Sequence, residues 1–339
     1  MSHETKPDPR GRPLVTECGN AQSPRTPCRE SGPSLSVERR EVDNPSVTQV
    51  RKPPGIRDKV LAYLELLRPH NVAAAVLCVI LGALAASKVT AYPLNTVDVM
   101  LSGAVVALVS AGGYTINDYF DYAVDAVNKP YRPLPSGRVS LGEALALSIA
   151  LGVTGVALSA WFGLVSMIYV ALNALVVYGY SAKMKEWGLV GNVVVSLEGS
   201  ASILYGSLVV FLRTGSDTAL ASAAVPAAIA FVLLLGREVV KTIEDYYADS
   251  VRGVKSLPRL LGLKTSAVIA SAILLTVPAL SVLPILVGYY NIVVYAPLAA
   301  ITVALVVNSA VRLLRSHNVV SVAIKERSLL KVAIVVGIL

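Results

Sequence analysis

Two short runs of acidic residues stand out from an otherwise apolar chain. The first is Asn117-Asp118-Tyr119-Phe120-Asp121-Tyr122-Ala123-Val124-Asp125 and the second Glu244-Asp245-Tyr246-Tyr247-Ala248-Asp249. A helix carried through the first run stacks Asn117, Asp121 and Asp125 on one face at i, i+4 and i+8, a ladder of oxygen ligands. Asp118 is turned by one residue and stands behind the ladder. Asp245 and Asp249 make the equivalent i, i+4 pair in the second run. Carboxylates at the depth or edge of a membrane are costly unless paired or bound to a cation. Oxygen ligands without His or Cys point to Mg²⁺ rather than zinc or copper. Magnesium keeps positions open for water and substrate phosphate, so two facing carboxylate sets suit a diphosphate bridged by Mg²⁺. The plainer alternative, solvated loop acids, explains one such run better than two on the same face.

Basic residues surround the acids. Lys129 and Arg132 follow the first run in Asn128-Lys129-Pro130-Tyr131-Arg132-Pro133-Leu134-Pro135-Ser136-Gly137-Arg138. Lys241 precedes Asp245 by four residues on the same helical face, Arg237 lies one turn earlier, and Arg252 and Lys255 follow. Metal ligands together with fixed cations are what an oligophosphate requires. Taken singly, each cation is equally a loop anchor at a membrane face. Lys129, Arg132 and Lys241 are set apart by their closeness to the ladders, and Pro130, Pro133 and Pro135 stiffen the loop that carries the first two.

The elements that position these groups follow from composition. The chain has 339 residues, 54% hydrophobic and 15% charged. An average soluble domain carries about 25% charged residues, so too little polar surface is available here to cover a soluble fold. Of the 52 formal charges, 17 fall within the first 57 residues. Residues 1–55, rich in Pro, Ser, Arg and Glu, are expected to form a disordered polar tail without a secretory signal, and 56–339 a transmembrane domain. Cys18, Cys28 and Cys78 give neither a disulfide framework nor a zinc spacing, and His3, His70 and His317 are too scattered for a His-based metal site. The net charge of +8 lacks the aromatic interleaving of a nucleic-acid surface; basic loops facing anionic lipid explain it better. No obligate protein partner is expected.

Leu61, Leu64, Glu65 and Leu67 form a short amphipathic stretch, expected at the membrane interface, that ends at Arg68-Pro69. Apolar runs of bilayer-spanning length then recur over 70–87, 97–117, 143–161, 163–180, 189–212, 219–241, 265–287, 291–311 and, shorter and interrupted by Lys331, 328–339. An all-α polytopic fold of about nine transmembrane helices follows. On this topology 18 of the 20 Lys and Arg residues after position 57 lie on one side, with only Lys88 and Arg213 on the other. The positive-inside rule makes the richer side cytoplasmic, and both acidic runs share it. Asp121 and Asp245 stand 124 residues apart at the ends of the second and sixth spans, which suggests a tandem four-helix repeat plus one helix.

The pattern Asn117-Asp118-x-x-Asp121-x-x-x-Asp125, followed by Arg132-Pro-Leu-Pro-Ser136-Gly137, resembles the UbiA-type intramembrane prenyltransferases. Asp245-x-x-x-Asp249 followed by Lys255-Ser-Leu-Pro258 matches that family's second motif, and Arg68-Pro69 also fits. The resemblance implies nine helices around a central cavity, both motifs at its cytoplasmic mouth, and transfer of a prenyl group from an isoprenoid diphosphate to a lipid or aromatic acceptor. Asn117, Asp121, Asp125, Asp245 and Asp249 would then hold Mg²⁺ against the diphosphate, and Lys129, Arg132 and Lys241 would neutralise the leaving group. Within the family, Arg237-Glu238-x-x-Lys241-Thr242-x-Glu244-Asp245 looks most like the archaeal digeranylgeranylglyceryl phosphate synthases. The departures are Thr242 where that branch usually has Asp, and Tyr246-Tyr247-Ala248 where small or acidic residues are common.

Several further residues are candidates for the cavity. Glu198 stands alone in the fifth span, a position that marks either a functional acid or a polar helix contact beside Gly199, Ser200, Ala201 and Ser202. Arg68, Asp118, Tyr178, Lys183 and Lys255 complete the set, with Lys183 and Lys185 placed either to receive a phosphorylated acceptor or simply to anchor their loop. Tyr114, Tyr119, Tyr122, Tyr178, Tyr180 and Tyr205 offer π faces to a carbocation. Asn173 and Asn192 read as packing hydrogen bonds. Three activities compete: transfer of geranylgeranyl to geranylgeranylglyceryl phosphate, transfer to a 4-hydroxybenzoate-type acid, and cation-coupled transport. The last calls for charges deep in several helices, whereas these acids gather at one face.

Overall fold

The computed structural model describes residues 55–288 and 291–338. The expected tail, but for Gly55, lies outside that range. The described residues form helices α1 (Ile56–Leu67), α2 (Pro69–Thr90), α3 (Thr96–Phe120), α4 (Tyr122–Asn128), α5 (Leu141–Ser159), α6 (Leu164–Ala182) and α7 (Leu189–Thr214). They continue with α8 (Asp217–Glu244), α9 (Tyr246–Arg252), α10 (Leu257–Leu261), α11 (Leu263–Leu280), α12 (Leu283–Val287), α13 (Ile292–Arg315) and α14 (Val319–Ile338). Eight membrane-crossing segments satisfy length and apolarity: α2, α3, Leu141–Phe162, α6, α7, α8, Leu263–Val287 and α13. The protein is a multi-pass membrane protein.

The ninth helix differs from its sequence reading. It begins at Val319 rather than 328 and runs straight through Lys325, Glu326 and Arg327. Glu326 and Arg327 are tolerated inside a helix because they are paired, and Lys325 is exposed. Glu326 is fully buried, accepting from Ser309 Oγ at 2.8 Å and pairing with Arg312 at 3.0 Å. Arg327 reaches Glu244 at 2.9 Å.

Helix packing repeats in the two halves. The second span of each half lies against the third (α3 on α5, α8 on α11), α2 joins the halves by packing on α7, and α14 packs on α8 and α13. Both second spans also break at the same point. Asp121 follows α3 and Asp245 follows α8 in near-identical bends (φ −83°, ψ 0° and φ −78°, ψ 4°), each leading into a seven-residue helix. Across both bends the i→i+4 backbone bonds persist, Asp125 N donating to the Asp121 carbonyl and Asp249 N to the Asp245 carbonyl, each at 2.8 Å. The chain therefore turns at the aspartates without losing the register that stacks the ladder.

The loop after α4 is pinned rather than free. Leu134 and Val139 pack with Ala62, Leu66 and Ala144 into a small buried cluster between α1 and α5. Arg138 donates to both Glu65 oxygens, at 2.8 and 2.6 Å, and holds that carboxyl below the usual carboxylate range. Gly137 supplies the left-handed turn (φ 74°) that lets the loop fold back.

Candidate active site

A cavity of about 890 Å³ opens among α2, α3, α6, α7, α8 and α14, and both acidic runs reach it. Asn117, Asp121 and Asp125 line one side and Asp245 another. The expected ladder is present: Asn117 Nδ2 donates to Asp121 Oδ2 at 3.0 Å, with Asp125 one turn on. Lys185 Nζ donates to the other Asp121 oxygen at 2.6 Å, and Arg132 Nη1 donates to Asp125 at 2.5 Å. Each carboxylate of the ladder thus faces a cation, Arg132 within the cavity lining and Lys185 outside it.

Asp118 lies behind this layer, buried and outside the cavity lining. It accepts from Arg68 and, at 3.3 Å, from Arg132. Two guanidiniums on the cavity wall are thereby aimed by one buried carboxylate. Arg68 has a left-handed backbone (φ 50°), which ends α1 and starts α2 with Pro69 at its first position. A non-glycine residue there costs about 1–3 kcal/mol. The Asp118 bond and a stack over the Tyr114 ring, 5.4 Å from its centroid, hold it in place.

Lys129 and Lys241 both line the cavity. Lys241 shares Glu238, at 3.6 Å, with Arg237. Glu198 lines the cavity as well, half-buried, and makes no hydrogen bond or ion pair to another described residue. The small-residue surface beside it does not simply pack: Gly199, Ala201 and Ser202 also line the cavity. Of the six candidate tyrosines, Tyr114, Tyr180 and Tyr205 face the cavity, joined by Tyr169, whose ring stacks on Tyr205 with centroids 5.8 Å apart.

Besides Asp118, Tyr119 and Tyr122, four candidates stand outside the lining. Tyr178 is outside the lining, its hydroxyl bound to Ser148 at 2.7 Å where α5 and α6 pack across Gly152. Lys183 is exposed outside the lining, and its neighbour Lys185 makes the contact with the ladder. Lys255 is likewise exposed, with its backbone carbonyl against Gly188. Asp249 is buried beyond the lining, its carbonyl accepting from Arg259 Nη1 at 3.1 Å. Conversely, Glu238, Arg327 and Lys331 line the cavity but escaped the sequence reading as site residues. For Arg327 and Lys331 the signal was periodic: 327, 331, 334, 335 and 338 fall on one helical face.

Among the described residues, no three His, Cys, Asp or Glu side chains converge into a ready cage for a metal ion. Asn117, Asp121, Asp125 and Asp245 line the cavity as separate oxygen donors, a set that suits Mg²⁺ taken up with a phosphate substrate. Such an ion keeps water, accepts one or two carboxylates and completes its octahedron with phosphate oxygens.

A family model described as the UbiA prenyltransferase family matches residues 75–330. A digeranylgeranylglyceryl phosphate synthase of Saccharolobus solfataricus is 37% identical over 278 residues, covering 82% of this chain and 94% of its own. The same enzyme of Ignicoccus hospitalis is 38% identical over 283 residues, 83% of this chain and 90% of its own. A solved structure from work on the biosynthesis of digeranylgeranylglyceryl phosphate synthase in membranes superposes with a TM-score of 0.66 at 31% identity. It covers 83% of this chain and 99% of that one. A UbiA homolog from Archaeoglobus fulgidus, solved with GPP and Mg²⁺, superposes with a TM-score of 0.58 over 81% and 98% of the two chains. At 19% identity that likeness concerns the fold.

Proposed function

We infer that this chain, which belongs to the UbiA prenyltransferase family, transfers a geranylgeranyl group from geranylgeranyl diphosphate to geranylgeranylglyceryl phosphate, releasing diphosphate. The product is a precursor of archaeal ether lipids. The observation that carries this reading is the meeting of Asp121, Asp125 and Asp245 in one membrane cavity, interleaved with Lys129, Arg132 and Lys241. The names of relatives that match nearly their full length supply the acceptor.

Asn117, Asp121, Asp125 and Asp245 would hold Mg²⁺ in this reading. The ion supplies Lewis acidity to the diphosphate oxygens. Arg132 and Lys185, now on the ladder carboxylates, are placed to turn to the diphosphate as its charge grows. Preorganised charge of this kind is usually the largest catalytic term. The C1–O bond of the donor breaks and leaves an allylic cation, for which the lining tyrosines Tyr114 and Tyr180 are the candidate π partners. Val105, Val106, Val109 and Val170 give part of the wall an apolar lining that helps exclude water from that cation; the acceptor hydroxyl oxygen bonds to C1 and its proton passes to the departing diphosphate. The positive-inside charge distribution supports a cytoplasmic mouth, the side where both soluble headgroups are available.

Two outcomes test the reading. Purified protein given labelled geranylgeranyl diphosphate, with glycerol phosphate and aromatic acceptors in parallel, should prenylate the former; transfer only to the aromatic acid would overturn the acceptor. Thorough chelation with EDTA should stop transfer, and Mg²⁺ should restore it. Activity that survives chelation contradicts the metal assignment.

A further inference from the structure

The acceptor proposed above is itself an anion on an isoprenoid chain, so the cavity needs a second anion position beside the one for diphosphate. The side walled by α8 and α14 carries cations that the carboxylate ladder leaves unused. Lys331 lines the cavity and makes no ion pair with any described residue. Arg68, Arg237 and Arg327 line the same cavity, with Glu238 as an acid among them. Glu238 is already shared by Arg237 and Lys241, and Arg327 is held by Glu244. Arg237 also keeps a buried Nε without a hydrogen-bond partner. Like charges gathered at membrane depth are unfavourable until an anion joins them.

What lies beyond Lys331 narrows the anion's identity. Ile334, Val335 and Ile338 continue the same face of α14 along the cavity wall. Ile338 stands about 10 Å past Lys331 at helical rise. A cationic step followed by an apolar strip of one helix matches a phosphate headgroup with a hydrocarbon chain attached. We propose that Lys331, with Arg237 and Arg327, docks the acceptor's phosphomonoester, and that the face of α14 beyond it receives the acceptor's chain. This rests on the glycerol phosphate reading of the acceptor.

The test uses the full chain with Lys331→Gln and, as a second variant suited to an apolar helix, Lys331→Met. Donor and acceptor concentrations are varied separately. Loss of one charge-assisted contact should raise the acceptor KM about ten- to hundred-fold and leave the donor KM within about twofold. Lys331→Arg should recover most of the loss. With geranylgeranylglycerol, which lacks the phosphate, wild type and both variants should perform alike. An unchanged acceptor KM overturns the proposal, and so does a donor KM that rises in parallel, since Lys331 would then serve the diphosphate. Wild-type protein that ignores the glycerol phosphate acceptor overturns the acceptor reading and this assignment with it. Wild-type turnover with unaffected variants overturns this assignment alone.

Discussion

Asp121→Ala should lower diphosphate release from geranylgeranyl diphosphate by about a thousandfold or more, because removing a single preorganised charge contact already costs about 10²–10³. Asp121 does more than one such job. Its two oxygens take Asn117 Nδ2 and Lys185 Nζ, so alanine removes a metal-ligand candidate, frees the ladder's first rung and leaves Lys185 without its carboxylate. Asp121→Asn separates these effects, since an amide can still bond Asn117 but carries no charge; its activity should fall nearly as far. Asp245→Ala should behave like Asp121→Ala, since the same bend in the other half presents that carboxylate to the same cavity. The fold should survive in each case. Both aspartates are half-buried at helix joints and are not packed within the apolar core. Helix content and a monodisperse detergent profile check that point. Full turnover by either alanine variant removes the site as described.

The ladder was legible in the sequence because its determinants are local: spacing of four places oxygens on one face, and the bend at Asp121 keeps that register. The spans were legible for the same reason, as bilayer length and apolarity are properties of a segment. Asp118 shows where locality gives out. Its sequence neighbours set it one residue off the ladder, but its partners Arg68 and Arg132 come from 50 positions before it and 14 after it. Tyr178 was misplaced by the same kind of gap, since only the packing of α6 on α5 decides that its hydroxyl goes to Ser148. The N-terminal half of α14 was hidden because Glu326 and Arg327 look too polar for a membrane helix. Their partners Ser309, Arg312 and Glu244, distant in sequence, make the burial tolerable. Lys331 therefore read as an interruption of a weak span when it lines the cavity.

The close contact between α2 and α7 predicts the largest effect on stability. A Cβ on Gly206 of α7 would stand 2.0 Å from the carbonyl oxygen of Val79, and one on Gly82 of α2 would stand 1.9 Å from that of Ile203. The obstacles are backbone atoms, so no rotamer change relieves the clash; the helices must separate by an ångström or more. Close approach through small residues is how membrane helices gain packing without a hydrophobic drive between them, and separation forfeits it. Gly206→Ala should cost about 3 kcal/mol, at the upper end for overpacking. The displacement also reaches the site. α2 starts directly after Arg68 and carries His70 and Asn71, and α7 carries Glu198 and Tyr205, all on the cavity wall. Gly142→Ala is the matched control: it lies in α5 with nothing within 4 Å of the added methyl. There the same substitution should be neutral or stabilise by about 0.5–1 kcal/mol, because alanine is the better helix former. Thermal unfolding of the detergent-solubilised protein should therefore move in opposite directions for the two changes, with activity lost only in Gly206→Ala. If Gly206→Ala unfolds at the wild-type temperature, α2 and α7 are not held backbone to backbone.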